Sequence, residues 1–221
     1  MGQNIIFSEI ELDVIKNRII ECEKEISGEI RVAFERSSDA YRGASMWGAI
    51  SIMWVVTLIY FAVEELFFKN SFQKIFHVNY LILIQLCSFI GGYFITSFSN
   101  GLKRFFTPAS MRKKAVFEKA ETVFLEKEIF ATRQRSGVLI FLSLLEREVV
   151  IMPDIGLKAK VKQQEWNNIA KSISGGIQHK HSADGVLKAI EQCRDILLKN
   201  GFTAGPEDAN ELSNEIILPK K

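Results

Sequence analysis

The side chains best placed to do chemistry are three aspartates in loop-forming contexts: Asp39 after a Ser-Ser pair, Asp154 after Pro153, and Asp184 ahead of Gly185. Carboxylate oxygens suit a hard cation such as Ca²⁺ or Mg²⁺, which would polarise a phosphate. The usual ligand edge of an open α/β sheet lies where loops leave the carboxyl ends of the strands, and the three acids are expected to gather there. The competing reading makes them helix caps and turn residues, positions that favour Asp. His179 and His181 add two imidazoles near Asp184, but one residue apart in a glycine-containing stretch they give little metal-site signature. No GxSxG, HExxH, P-loop or CxxxxxR pattern occurs. Cys22, Cys87 and Cys193 have no CxxC spacing, which argues against a disulfide framework or zinc site and suits a reducing compartment. The cofactor reading is therefore none, or Ca²⁺ or Mg²⁺.

What must position these acids is interrupted by two apolar runs. Residues 45–63 and 78–98 contain no Asp, Glu, Lys or Arg. Each makes a helix of about 30 Å at 1.5 Å per residue, the thickness of a hydrocarbon core. A buried soluble helix of that length nearly always carries a charged stripe, so the runs are expected to form a transmembrane hairpin. Arg36 and Arg42 precede the first span, and Lys103, Arg104, Arg112, Lys113 and Lys114 follow the second. That excess places both termini in the cytoplasm. The loop carries Lys69 and Lys74 among Phe67, Phe68, Phe72, Ile75 and Phe76, and is expected in the headgroup region. The basic group after the second span serves as a topology signal and a surface for anionic lipid headgroups. A nucleic-acid role finds no support there, and the net charge of +2 points to no partner. The N-terminus lacks a continuous apolar stretch, so no cleaved signal peptide is expected, and Ile6 breaks the myristoylation pattern that Gly2 begins.

Around the hairpin the chain reads α-β, then α-β-β-α-α. Ser8 and Glu11 form a capping box, with Phe7 and Leu12 as a hydrophobic staple. Ile15, Ile19, Cys22 and Ile26 share the buried face of the helix that follows. Residues 29–36 alternate as a half-buried strand, with Ile30, Val32 and Phe34 inward and Glu29 and Arg31 pairing across the exposed face. Thr107-Pro108 opens a long helix with Met111, Ala115, Phe117, Ala120, Phe124 and Ile129 as its apolar contacts. The run 138–145 suits a central strand covered on both faces, Glu146-Arg147 a tight turn, and 148–152 a returning strand. A loop at 154–156 precedes a helix over about 160–172, which Ser174-Gly175-Gly176 is expected to break. A last helix, 183–199, stops at Asn200-Gly201. In the polar tail, Ile216, Ile217 and Leu218 either add an edge contact or fray.

The segments SGEIRVAFERSSDAY, RSGVLIFLSLLEREVVIMPDIGL and HSADGVLKAIEQCRDIL resemble the TPM domain family. The matching landmarks are Ser27 to Val32, Ser136 to Ile140, Arg147 to Ile151, Asp154 to Leu157 and Asp184 to Leu187. The subgroup it resembles is the bacterial membrane proteins with two spans inserted after the first strand. The resemblance implies an α/β sandwich of Rossmann-like character. It implies functions ranging from acid phosphatase activity or metal binding to photosystem II repair and accessory roles on membrane receptors. Many members lie outside the cytosol, a placement from which the orientation argued here departs.

The expected fold is thus α/β: a small mixed sheet flanked by helices, a TPM-like sandwich, interrupted by the hairpin. The divisions are 1–42 and 103–205 for the soluble domain, 43–102 for the hairpin and 206–221 for the tail. Because both hairpin ends return to one domain, that domain is expected close to the cytoplasmic face of a bacterial inner membrane. The expected function is that of an accessory or interaction module contacting the lipid bilayer and other membrane proteins, with self-association left open. The alternative is a metal-dependent phosphatase at the membrane surface.

Overall fold

The computed structural model describes residues 7–68, 78–177, 182–205 and 210–219. The hairpin loop with Lys69 and Lys74, the His179 and His181 pair, and Gly2 and Ile6 lie outside the described residues. The elements in order are α1 (Glu9–Glu23), β1 (Glu29–Glu35), α2 (Arg42–Phe68), α3 (Val78–Phe98), α4 (Asn100–Phe106), α5 (Ala109–Glu126), β2 (Gly137–Ser143), β3 (Glu148–Pro153), α6 (Ile155–Lys158), α7 (Gln163–Ile177) and α8 (Ser182–Lys199). They fall into two compact units, Met1–Ser38 with Lys113–Lys221, and Asp39–Arg112.

The first unit is built on a three-stranded mixed sheet in the order β1-β2-β3. β1 runs parallel to β2, with Glu29 opposite Gly137 and Glu35 opposite Ser143. β3 returns antiparallel, with Val138 opposite Pro153. Parallel strands need a long crossover, and here the hairpin and α5 lie within it. One face of the sheet presents Ile30, Val32, Phe34, Val138, Ile140 and Leu142 to a core completed by α1, α7 and α8. The other presents Ala33, Leu139, Phe141 and Met152 to Val116, Ala120, Val123 and Phe124 of α5. All seven residues of β2 are buried, as expected for a strand sandwiched between helical layers.

α1 begins as its sequence dictates. The Ser8 hydroxyl accepts from Glu11 N, and the Glu11 carboxylate accepts from Ser8 N at 2.7 Å. Ile15, Ile19, Cys22 and Ile26 are all buried. Phe7 is anchored on the Phe34 ring, centroids 4.5 Å apart.

Several expectations need correction. β1 is buried on both faces, Glu29 and Arg31 included, because residues from the C-terminal segment pack over it. Ile217 N donates to Val32 O, and Phe34 N donates to Ile217 O, so the tail does make an edge contact. On α5 the buried stripe is Val116, Ala120, Val123 and Phe124, an i, i+4, i+7, i+8 set, whereas Met111 and Phe117 face solvent. α7 continues through Ser174-Gly175-Gly176 to Ile177. Two helical glycines cost about 1 kcal/mol each, less than a packed amphipathic helix returns. The loop after Pro153 winds into α6, capped by Asp154. Ser99 breaks the chain after α3 and caps the unexpected α4 by accepting from Leu102 N. Thr107 closes α4 rather than opening α5, its hydroxyl donating to Lys103 O at 2.7 Å.

The second unit is a helical hairpin. Gly48 lies where a Cβ would stand 2.6 Å from Thr96 Cγ2, so only glycine permits this approach of α2 to α3. The Ser97 hydroxyl donates to Ser45 Oγ across the pair at 3.0 Å. Thr57, Ser51 and Ser88 return their hydroxyls to carbonyls of their own helices. Both helices are long and apolar enough to cross a membrane, and only 11% of each apolar window is buried within the protein. Trp54, Leu58, Ile59, Ile82, Leu86 and Phe94 point outward, each more than half exposed. A core helix of a soluble protein would hide such side chains.

Candidate functional site

The three aspartates go to three different settings. Asp154 follows β3, and its amide donates to Gly137 O, at the amino end of β2. Its carboxylate is buried and grips Arg135 bidentately, Oδ2 to Nε at 2.6 Å and Oδ1 to Nη2 at 3.0 Å. Oδ1 also accepts from Ile155 N at 2.7 Å, which caps α6. The backbone is fitted to this pair. Arg135 adopts the left-handed conformation at φ 52°, and a Cβ on Gly156 would meet Arg135 O at 2.7 Å and Gln134 O closer still. Asp184 is exposed in the first turn of α8, where its charge suits the helix dipole. Asp39 belongs to the hairpin unit, its carboxylate accepting from Ala40 N. Among the described residues, no group of three or more His, Cys, Asp or Glu side chains is disposed to hold a metal ion. The expectation of a shared edge failed to allow for β3 running antiparallel, which carries its carboxyl end, and Asp154, to the amino ends of β1 and β2.

The basic group divides as well. Lys113 and Lys114 are exposed at the start of α5, and Lys103 and Arg104 are partly exposed on α4. Arg112 is structural: its Nη1 donates to Arg104 O at 2.7 Å and to Thr107 O at 2.6 Å, fastening the end of α4.

Two polar assemblies that the sequence did not announce flank the parallel strands. At their carboxyl ends Glu146 is fully buried. Its carboxylate accepts from Ser38 N at 3.0 Å, from the Ser37 hydroxyl at 3.5 Å and, in a short contact, from the Ser143 hydroxyl. Ser38 Oγ donates in turn to Ser143 Oγ at 2.8 Å. Glu146 thereby ties the chain leaving β1 to the turn after β2. In the sequence it is one acid of a Glu-Arg turn, with no signal of burial.

At the amino ends lies a cleft of about 430 Å³, lined by Glu23, Lys24, Glu29, Arg133, Glu211 and Asn214 among others. Glu23 Oε1 accepts from Ile30 N at 2.9 Å and Oε2 from Asn214 Nδ2 at 2.7 Å. Burial pushes its carboxyl up to about 8 despite those donors, and the neighbouring Glu29 acts in the same direction. Glu29 Oε1 accepts from Glu211 N at 2.9 Å; burial raises this carboxyl too. Arg31 is pulled below the usual guanidinium range by burial, against the opposing charges of Glu23, Glu29 and Glu215. Glu29 Oε2 and Arg31 Nη1 are buried without a hydrogen-bond partner. Arg133 reaches Glu211 at 3.3 Å on the cleft rim. Chemically this is a partly buried carboxyl cluster, with Glu29 inside and Glu23 half-buried, against which the C-terminal segment packs.

The fold and these clusters define a mixed α/β domain that takes an apolar hairpin between its first and second strands. Residues 104–196 match the family model described as the TPM domain. That match runs from α4 into α8, and leaves β1, before the hairpin, outside it. In fold the chain is similar to the BA42 protein from the psychrophilic bacterium Bizionia argentinensis sp. nov., solved by NMR, with a TM-score of 0.59 and 19% identity over 98% of each chain. No curated protein matches the sequence.

Proposed function

We propose that this protein is a two-span membrane protein of the bacterial inner membrane whose TPM domain is a cytoplasmic accessory module for other membrane proteins or lipids. The observation that carries this reading is the outward apolar surface of α2 and α3, which in water would have no partner. Two spans return the chain to the side on which they began, so both portions of the soluble unit occupy one side. The excess of Lys and Arg beside the spans favours the cytoplasm. Lys103 and Arg104, which follow the second span, suit anionic headgroups. Asp154, which follows β3, is occupied by Arg135, which supports a structural use of that carboxylate.

The test is in-cell crosslinking of the tagged full-length chain, with alkaline extraction and reporters fused after Lys221. The reading expects a protein that resists extraction, a reporter active only in the cytoplasm, and crosslinked membrane-protein or lipid partners. A reporter active only outside would reverse the orientation. Hydrolysis of a generic phosphomonoester with Mg²⁺ or Ca²⁺, lost in Asp154→Asn or Asp184→Asn, would replace the accessory role with a phosphatase.

A further inference from the structure

β1 is an outer strand, and the chain's own C-terminal segment occupies its edge. Ile217 pairs parallel with Ala33, its N–H donating to Val32 O at 3.0 Å and its carbonyl accepting from Phe34 N at 2.9 Å. Ile216 packs into the α1/α7/α8 core and Ile217 into the α5 core, the two-faced alternation of an added strand. Among the described residues, this is the one bridge between the segment and β1. Upstream the segment is held by the Glu211 and Leu212 amides on Glu29, by the Asn214 amide on Glu23, and by Arg133, whose N–H donates to Glu211 Oε2 at 2.8 Å. β2, by contrast, pairs with β1 through seven register positions. Seating the segment also has a cost. Glu29 Oε2 and Arg31 Nη1 lie buried and unbonded on the face where Leu212 and Ile217 pack, and water would solvate both if the segment lifted.

We propose that residues 210–217 form a releasable strap, and that the β1 edge beneath it docks an extended segment of a partner protein carrying an acid two residues before an aliphatic side chain. This deepens the accessory-module reading and rests on it. The strap itself shows what the edge accepts. An aliphatic side chain lies opposite Ala33, main-chain groups meet Val32 and Phe34, and an acid in the place of Glu215 answers Arg31. The charged groups described at this edge include Glu23 and Lys24 at the end of α1, Glu29 and Arg31 from β1, Arg133 from the turn before β2, and Glu211 and Glu215 from the strap. Strand addition of this kind draws affinity from main-chain bonds and specificity from alternate side chains.

The test uses the full-length protein in detergent. Hydrogen exchange should find the strap and the Phe34 amide exchanging at least about ten-fold faster than β2 amides such as Ile140. A fluorescent peptide of residues 210–219 should bind the full-length Ile217→Ser variant saturably, and lose binding when its own Ile217 is Asp or its Glu215 is Lys. Strap amides as slow as those of β2 would overturn the proposal. So would an Ile217→Ser protein with native circular dichroism that does not bind the peptide. If that variant fails to fold, excess peptide on the unaltered protein decides: slower Phe34 exchange supports docking, and unchanged exchange overturns it. Absence of cellular crosslinks beside fast strap exchange and peptide binding would defeat the accessory role alone.

Discussion

Asn214 donates a hydrogen bond to Glu23 across 2.7 Å, joining residues 191 positions apart in the chain. The bond sits on a carboxyl that burial has raised to about 8, so the fastening of the C-terminal segment is coupled to a proton.

The pH dependence follows from that coupling. Below about pH 4.5 Glu23 is protonated both folded and unfolded. Between there and about 8 only the folded state keeps the proton, so its contribution is lost as pH rises, by at most about 1.4 kcal/mol per unit. Stability of the full chain should fall from about pH 5 to about pH 8, and Glu23→Gln should flatten the slope. Urea midpoints across that range measure it. An unchanged slope in the variant would remove Glu23 as the source.

Asp154 should matter for stability through Arg135 and the α6 cap. Asp154→Ala removes both and should cost about 1–2 kcal/mol, while Asp154→Asn keeps the cap and should cost less. Arg135 is half exposed, so losing its partner does not strand a buried cation. Thermal unfolding of the two variants gives the order, and equal losses would contradict the cap's share.

Glu146 should be far less tolerant. Replacing it by Ala leaves the Ser38 amide and the Ser143 hydroxyl facing a void, a loss on the order of 3 kcal/mol. Glu146→Gln keeps one carbonyl acceptor, and its amide can donate to a serine oxygen, so it should lose less than half as much. Chemical denaturation of both variants tests this ranking.

In the hairpin, Gly48→Leu drives a side chain into Thr96 and should cost about 1–3 kcal/mol of α2–α3 association. Gly91→Ala, with nothing within 4 Å of its new Cβ, should be neutral. Resistance of the helical signal to rising SDS should separate the two. Equal resistance would mean that α2 and α3 do not meet at Gly48.

The sequence by itself determined whatever rests on local spacing. The Ser8–Glu11 box starts α1, the uncharged runs become α2 and α3, and the unbroken Val-Leu-Ile-Phe run becomes the central strand, because capping, helix length and two-sided burial depend on neighbours a few residues apart. Tertiary structure alone decided the fate of the charged groups. Alternation put Glu29 and Arg31 on one face of β1, but their burial came from a segment about 180 residues away. Asp154 looked like a loop acid until the antiparallel return of β3 delivered it to Arg135, and Glu146 became a buried acceptor only when the exit of β1 met the end of β2. A carboxylate's role is set by which donors and how much water surround it, and those are fixed by segments that meet only in the folded chain.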